Sequence, residues 1–373
     1  MMAEGVHYIR NPNVDLVRSA TIAQEILPVE GFLEARRTIL RWPGYAVTPL
    51  VSLQSLAESL DLAALWVKDE SQRFGLESFK ALGGAYAVSR LASRADVEPR
   101  SLTVTCATDG NHGRSVAWGA ARVGCKCVVY LHDGVSEGRA HAIRKLGAEA
   151  VRAGATYDES VRLNAAAAER NGWSIIGDTS PHGELGHATV VMQGYRVLAE
   201  EVRCQLPAAP THVFAQVGCG GFAAALCAHL LAPSSTPPRL VAVEPEGAAC
   251  LALSIRSGCP VEADGELRTI MAGLAVGQVS IPAWRILHYG IHGVIVLPDA
   301  AAATGMRTLA HNDPPITSGE SGAAGMGGLI AAAEAIGLRD EMELDQSSRV
   351  LLVNTEGATD RAVYERIVGQ IAE

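Results

Sequence analysis

Nine short runs of β-branched and aliphatic residues recur from about residue 64 onward: LWVKD, LTVTCA, KCVVYL, EAVRA, WSIIGD, THVFAQV, RLVAVE, GVIVLP and RVLLVNT. Stretches with helical character separate them. That alternation restricts the chain to parallel-sheet units joined by crossover helices, an α/β fold. Most of the runs are near-continuously apolar, as strands buried on both faces of a sheet must be. A chain of 373 residues is long for one small unit, so two lobes are expected, each an open, mostly parallel twisted sheet flanked by helices.

With 48% apolar and 19% charged residues, the chain has the balance of an ordinary globular protein and not that of a disordered one. Its 31 basic and 40 acidic residues give a formal charge of -9, and no basic run could track a phosphate backbone, so nucleic acid is not an expected partner. The first twenty residues lack signal and transit patterns, and no later stretch is an uninterrupted apolar span. A cytoplasmic location with no membrane partner is expected. Eight cysteines, at 106, 125, 127, 204, 219, 227, 250 and 259, lack C-x-x-C spacing, which suggests neither a metal site nor a disulfide framework. Most are expected to be buried thiols.

Several helix starts carry capping chemistry. Thr48 and Pro49 suit the N-cap and first position of a helix through Leu53, Leu56 and Leu60. Thr156 and Glu159 form a capping box ahead of an alanine-rich helix over 157–170, and Ser280 and Asp299 suit further caps. Proline-rich loops are expected at 207–210 and 233–238.

Four segments combine chemistry with strand or helix ends. In KDESQRFGLESFKALGG a strand leads through a polar loop into a helix expected near Ser78, with Lys80 in its first turn. A cation is disfavoured there by the helix dipole, whereas a lysine converted to an imine has a chemical reason to be there. A solvated surface lysine is the alternative. In TCATDGNHGR, Asp109, Gly110 and Asn111 follow a strand's carboxyl end, where ligands collect in open α/β sheets, although a tight Asp-Gly turn with Asn111 as a cap explains them equally. QVGCGGF places Gly218, Cys219, Gly220 and Gly221 between a strand and a helix, a backbone suited to a phosphate but lacking the full dinucleotide and Walker patterns. SGESGAAG and NTEGATD are rich in small residues, which fits either close approach to a flat ligand or helix packing. Asp178 ends WSIIGD at the same sheet edge, or is simply a turn residue.

Taken together, KDESQRFGLESFKALGGAYA, ATDGNHGRSVAW, IIGDTS, VMQGY, AGLAVG, SGESGAAG and NTEGATD resemble the diaminopropionate ammonia-lyase family of fold-type II pyridoxal-phosphate enzymes, in wording and in order. The resemblance covers most of the chain. It implies pyridoxal 5′-phosphate bound to Lys80 as a Schiff base, with Phe79 beside the ring, Asn111 on the ring 3′-oxygen and the 218–221 turn on the phosphate. Thr355 would face the pyridine nitrogen, and a neutral hydroxyl there suits elimination better than transamination. The implied catalytic residues are Lys80, which takes the α-proton of an L-substrate, Asp109, which takes that of a D-substrate, and Asp178, which holds the substrate ammonium. The implied reaction converts 2,3-diaminopropionate to pyruvate and ammonia. A homodimer is implied too, with a smaller domain at 85–195 inserted into a larger one formed by 1–84 and 196–373. No metal is implied.

There are two departures from the family. Val276 stands in AGLAVG where related sequences often have cysteine, so a cysteine-linked loop is not expected, and the loop SPHGELGHATV lacks the aromatic-rich stretch of the family, which bears on the substrate. Elimination from serine, threonine or a hydroxyaspartate is the rival chemistry, and a catalytically idle amino-acid or cofactor-binding protein is the rival from another class.

Overall fold

The computed structural model describes residues 5–95, 97–108, 110–180, 183, 185–231 and 236–369. In chain order the elements are β1 (His7–Arg10), α1 (Leu16–Ile26), α2 (Val29–Ile39), β2 (Leu50–Ser52), α3 (Gln54–Ser59), β3 (Ala64–Asp69) and α4 (Ala81–Arg94). There follow β4 (Thr103–Ala107), α5 (Asn111–Val123), β5 (Lys126–Leu131), α6 (Glu137–Lys145), β6 (Glu149–Arg152), α7 (Tyr157–Asn171), β7 (Ser174–Ile175) and α8 (His187–Gln205). Next are β8 (His212–Gln216), α9 (Gly221–Leu230), β9 (Arg239–Pro245), α10 (Cys250–Ser257), α11 (Ile281–Gly290) and β10 (Gly293–Leu297). The last are α12 (Asp299–Ala310), α13 (Ala324–Glu334), α14 (Ile336–Met342), β11 (Arg349–Asn354) and α15 (Arg361–Val368).

Two sheets form, as the alternation of runs requires. The larger has the order β1-β10-β9-β8-β11-β3-β2 and the smaller β6-β5-β4-β7. All nine apolar runs are strands and pair in parallel. β1 and β2 add antiparallel edges on β10 and β3. These two are short and partly exposed, so they carry no continuous apolar signal. One hydrophobic cluster takes in Val104, Val129 and Ile143 around the smaller sheet, Leu82, Val191 and Tyr195 on α4 and α8, and Val213 and Leu226 around the larger. A second cluster covers the opposite face of the larger sheet, with Phe214, Val241, Met326 and Leu329. Both positions at which the sequence divides the chain, 84/85 and 195/196, fall inside helices α4 and α8, which pack on each other. That contact is close because Gly194 has no side chain to meet the Leu82 carbonyl.

Local expectations are met in part. Thr156 caps α7, accepting from the Glu159 amide, while the Glu159 carboxylate accepts from Ala155 N at 2.8 Å. Thr48 starts no helix. Its hydroxyl is committed to Glu70 at 2.5 Å, so Pro49 leads into β2 and α3 begins only at Gln54. Ser280 occupies the N-cap of α11 but accepts from Ser180 N, and Asp299 lies inside α12, where it binds Thr269 and Ile270. Helix α4 starts at Ala81 and not near Ser78, because Ser78 and Phe79 pair with the backbone of 355–356. Four of the eight cysteines are buried, two are half-buried and two exposed, fewer buried than the sequence suggests. The 207–210 segment is a loop, and residues 233–235 of the other expected loop lie outside the described residues. Among the described residues no helix is long and apolar enough to cross a membrane.

The polar half of KDESQR builds a buried ion network. Lys68 Nζ donates to Glu201 Oε2 and to Thr48 O, both at 2.7 Å, and Arg73 bridges Glu70 and Glu201 with contacts of 2.7–2.9 Å. Burial raises the Glu201 pKa, but Arg73 and Lys68 outweigh it and hold the carboxyl below its usual range. Two cations and two carboxylates thereby tie the end of β3 and its following loop to α8. Glu201→Ala removes the carboxylate both cations share and is expected to destabilise the fold by about 3–5 kcal/mol. The readout is the chemical-denaturation midpoint, and an unchanged midpoint would contradict the account.

Candidate active site

The carboxyl ends of β4, β7, β8 and β11 converge on one cavity, with the loop after β3 beside them, the position at which open α/β sheets bind ligands. Lys80 stands at the N-cap of α4, ahead of the first turn in which its sequence context puts it. Its placement follows from backbone pairing. Phe79 N donates to Thr355 O at 3.1 Å and Ser78 bridges Glu356, so the segment entering α4 is stitched to the end of β11. The Lys80 ammonium points into the cavity and donates to Asp178 Oδ2 at 2.7 Å. The chain has four lysines; Lys68 is enclosed in the buried network, and Lys126 and Lys145 are exposed on the smaller lobe.

Burial works against the Lys80 charge, but Asp178 raises its pKa well above the usual lysine value. Asp178 is the complement. Burial would raise its pKa, and Lys80 and then His112 hold it far below the usual carboxylate range. His112 Nε2 lies 2.7 Å from Ile176 O and must be the donor, since a carbonyl only accepts, so Nδ1 is the ring atom turned to Asp178, at 3.7 Å. Phe79 packs against Tyr195 and Phe222, and its ring centre is 5.6 Å from the Lys80 ammonium.

On another wall of the cavity the glycine turn opens α9. Gly220 has φ 89°, a left-handed conformation, and its added Cβ would meet Leu287, Ala283 and Val279 at 3.1–3.3 Å. Among the described residues no side-chain hydrogen bond caps α9, so its first amides and its dipole present positive potential to the cavity lined by Gly218, Cys219, Gly220 and Gly221. The Cys219 thiol donates to Asp178 O at 3.5 Å. Burial and then Asp178 push it up to about 11, so it stays neutral and places no negative charge beside the anion-binding turn.

The cavity is also lined by groups suited to a flat ring. Gln216 Nε2 donates to Thr355 Oγ1 at 2.8 Å and to Val353 O at 3.0 Å, while its buried Oε1 has no partner among the described residues. Asn111 opens α5 and donates to Glu356 Oε2 at 2.5 Å. Asp109 lies outside the described residues; its neighbours Thr108 and Gly110 line the cavity. Val276, from the AGLAVG segment, lines it as well.

The structure therefore brings together Phe79, Lys80, Asn111, Asp178, the 218–221 turn and Thr355 from segments far apart in sequence. It adds His112, Arg139, Tyr157, Ser321 and Glu356. His112, Ser321 and Glu356 lie in segments already singled out, whereas Arg139 and Tyr157 sit in the opening turns of α6 and α7, where helix starts of ordinary composition mark nothing. The ensemble fits pyridoxal phosphate: an amine for the aldehyde, a helix N-terminus for the phosphate, a hydroxyl for the ring nitrogen, and a buried Gln216 oxygen that has no partner among the described residues.

Residues 41–356 match the model of the pyridoxal-phosphate dependent enzyme family. The chain is similar to diaminopropionate ammonia-lyase of Escherichia coli K12, with 39% identity over 90% of both chains, and to that of Salmonella typhimurium, with 40% identity over 87% of this chain and 89% of the other. It also superposes on a crystal structure of the E. coli diaminopropionate ammonia-lyase in complex with an aminoacrylate-PLP azomethine reaction intermediate, with a TM-score of 0.88, 36% identity, and coverage of 97% of this chain and 96% of that one. With an amine, a carboxylate and a helix N-terminus gathered in one cavity and kinship that runs nearly the whole chain, the protein belongs to the pyridoxal-phosphate dependent enzymes and, among them, to the diaminopropionate ammonia-lyase family.

Proposed function

We propose that this chain catalyses the pyridoxal-phosphate-dependent α,β-elimination of ammonia from 2,3-diaminopropionate, in both L and D forms. With one water consumed, the products are pyruvate and two molecules of ammonia. The observation that carries the reading is the Lys80–Asp178 contact of 2.7 Å in a cavity lined also by the N-terminus of α9. Bound pyridoxal phosphate supplies the electron sink that lets the α C–H bond of an amino acid break.

The chain's own groups do the rest. The amides at Gly218, Cys219, Gly220 and Gly221 hold the phosphate, Phe79 flanks the ring, Asn111 donates to the ring oxygen, and Thr355 offers a neutral hydroxyl to the ring nitrogen. Lys80 takes the α-proton from the L-enantiomer. Asp109 takes it from the opposite face in the D-enantiomer. Asp178 binds a substrate ammonium, a role supported by its pairing with the Lys80 ammonium, which has the same charge and the same donors. Residues 85–195 act as a smaller domain over the substrate, the enzyme is a homodimer, and it works in the cytoplasm.

The test is a pyruvate-release assay over D- and L-diaminopropionate, serine, threonine and hydroxyaspartate. Diaminopropionate is expected to be turned over fastest, and Lys80→Ala to abolish the release; faster release from serine or threonine would overturn the substrate assignment. Asp109→Asn is expected to lose most activity on D-diaminopropionate while keeping more on the L-form. Equal losses on the two would exclude the two-base scheme.

A further inference from the structure

Glu356 follows β11 and is fixed from both sides. Its backbone bridges Ser78, its carbonyl accepts from Gly319 N at 3.0 Å, and the next residue, Gly357, donates to Glu77 O at 2.9 Å. The residue is only 3% exposed. Each carboxylate oxygen takes one donor: Oε1 accepts from Ser321 N at 3.0 Å and Oε2 from Asn111 Nδ2 at 2.5 Å. The second contact crosses from the larger sheet to the first residue of α5, which belongs to the smaller one. Helix α5 has glycine at its N-cap, and of its first-turn amides that of Gly113 is taken by Thr108 Oγ1 at 3.3 Å; a carboxylate at this end also meets the helix dipole favourably.

Both oxygens of Glu356 act as acceptors, so the atom of Asn111 that faces Oε2 is the nitrogen. That nitrogen carries two protons. One is committed to Glu356, and the other remains for the cavity that Asn111 lines. We propose that Glu356 is a positioning residue for the cofactor, holding the Asn111 amide so that nitrogen and not oxygen is presented to the ring oxygen of pyridoxal phosphate. The proposal rests on the reading of Asn111 as the partner of that oxygen. An amide at position 356 has a single acceptor for two donors, Ser321 N–H and Asn111 Nδ2–H. If it serves Ser321, its own NH₂ confronts that of Asn111, which must turn over and offer an oxygen to an oxygen.

The experiment is a double-mutant cycle on cofactor affinity, in which pyridoxal phosphate is titrated into the resolved apoprotein of the parent, Asn111→Ala, Glu356→Gln and the double variant. Thermal unfolding of each apoprotein verifies folding, and Glu356→Asp serves as a carboxylate-retaining control. Asn111→Ala is expected to weaken affinity about tenfold, as loss of a hydrogen bond to a charged group does. Glu356→Gln is expected to weaken it about as much, the double variant no further than either single one, and Glu356→Asp less than Glu356→Gln. Unchanged affinity in Glu356→Gln beside a weakened Asn111→Ala, or additive losses in the double variant, would overturn the positioning role. If Asn111→Ala itself binds as tightly as the parent, the reading of Asn111 falls and this inference with it.

Discussion

The site depends on one ion pair that spans the two sheets. Lys80 enters from the loop after β3 of the larger sheet and Asp178 from the turn after β7 of the smaller, and they meet at 2.7 Å where both are largely withdrawn from water. A charge in such a place is costly unless paired, and each member shifts the other in the direction that keeps both ionised.

The surrounding architecture serves to put the amine at that point. Behind Lys80, the Lys68, Glu70, Arg73 and Glu201 network anchors the polar loop to α8. In front of it, the backbone pairing of Ser78 and Phe79 with residues 355–356 sets the entry into α4. Within one motif, then, the charged residues shared out along KDESQR are structural and the single lysine at its end is presented to the cavity. A buried network of this kind contributes little net stability compared with apolar packing, but it allows few arrangements, and geometric definition is what a reacting amine needs.

Much of this was legible from residues alone, for a physical reason. Strands buried on both faces must be apolar throughout, so nine of the eleven were visible; β1 and β2 pair only at edges and leave no such trace. The glycine turn at 218–221 and Asp178 lie directly after apolar runs, which made them readable as sheet-edge residues. Thr48 misled because an N-cap hydroxyl and a network hydroxyl look alike in sequence, and only the fold shows that Glu70 has claimed it. Arg139 and Tyr157 stayed hidden because a helix start says nothing about which cavity it faces. Lys80 itself became readable only as part of the combined family wording, since an isolated lysine has no distinguishing pattern.

The central claim is that Lys80, of the four lysines in the chain, is the one that carries the cofactor. Borohydride reduction of the holoprotein, followed by proteolysis and mass spectrometry, tests this directly. The account predicts a stable phosphopyridoxyl label on the peptide containing Lys80 alone. A label on Lys68, Lys126 or Lys145 in its place, or none at all on a protein that binds the cofactor, would contradict it.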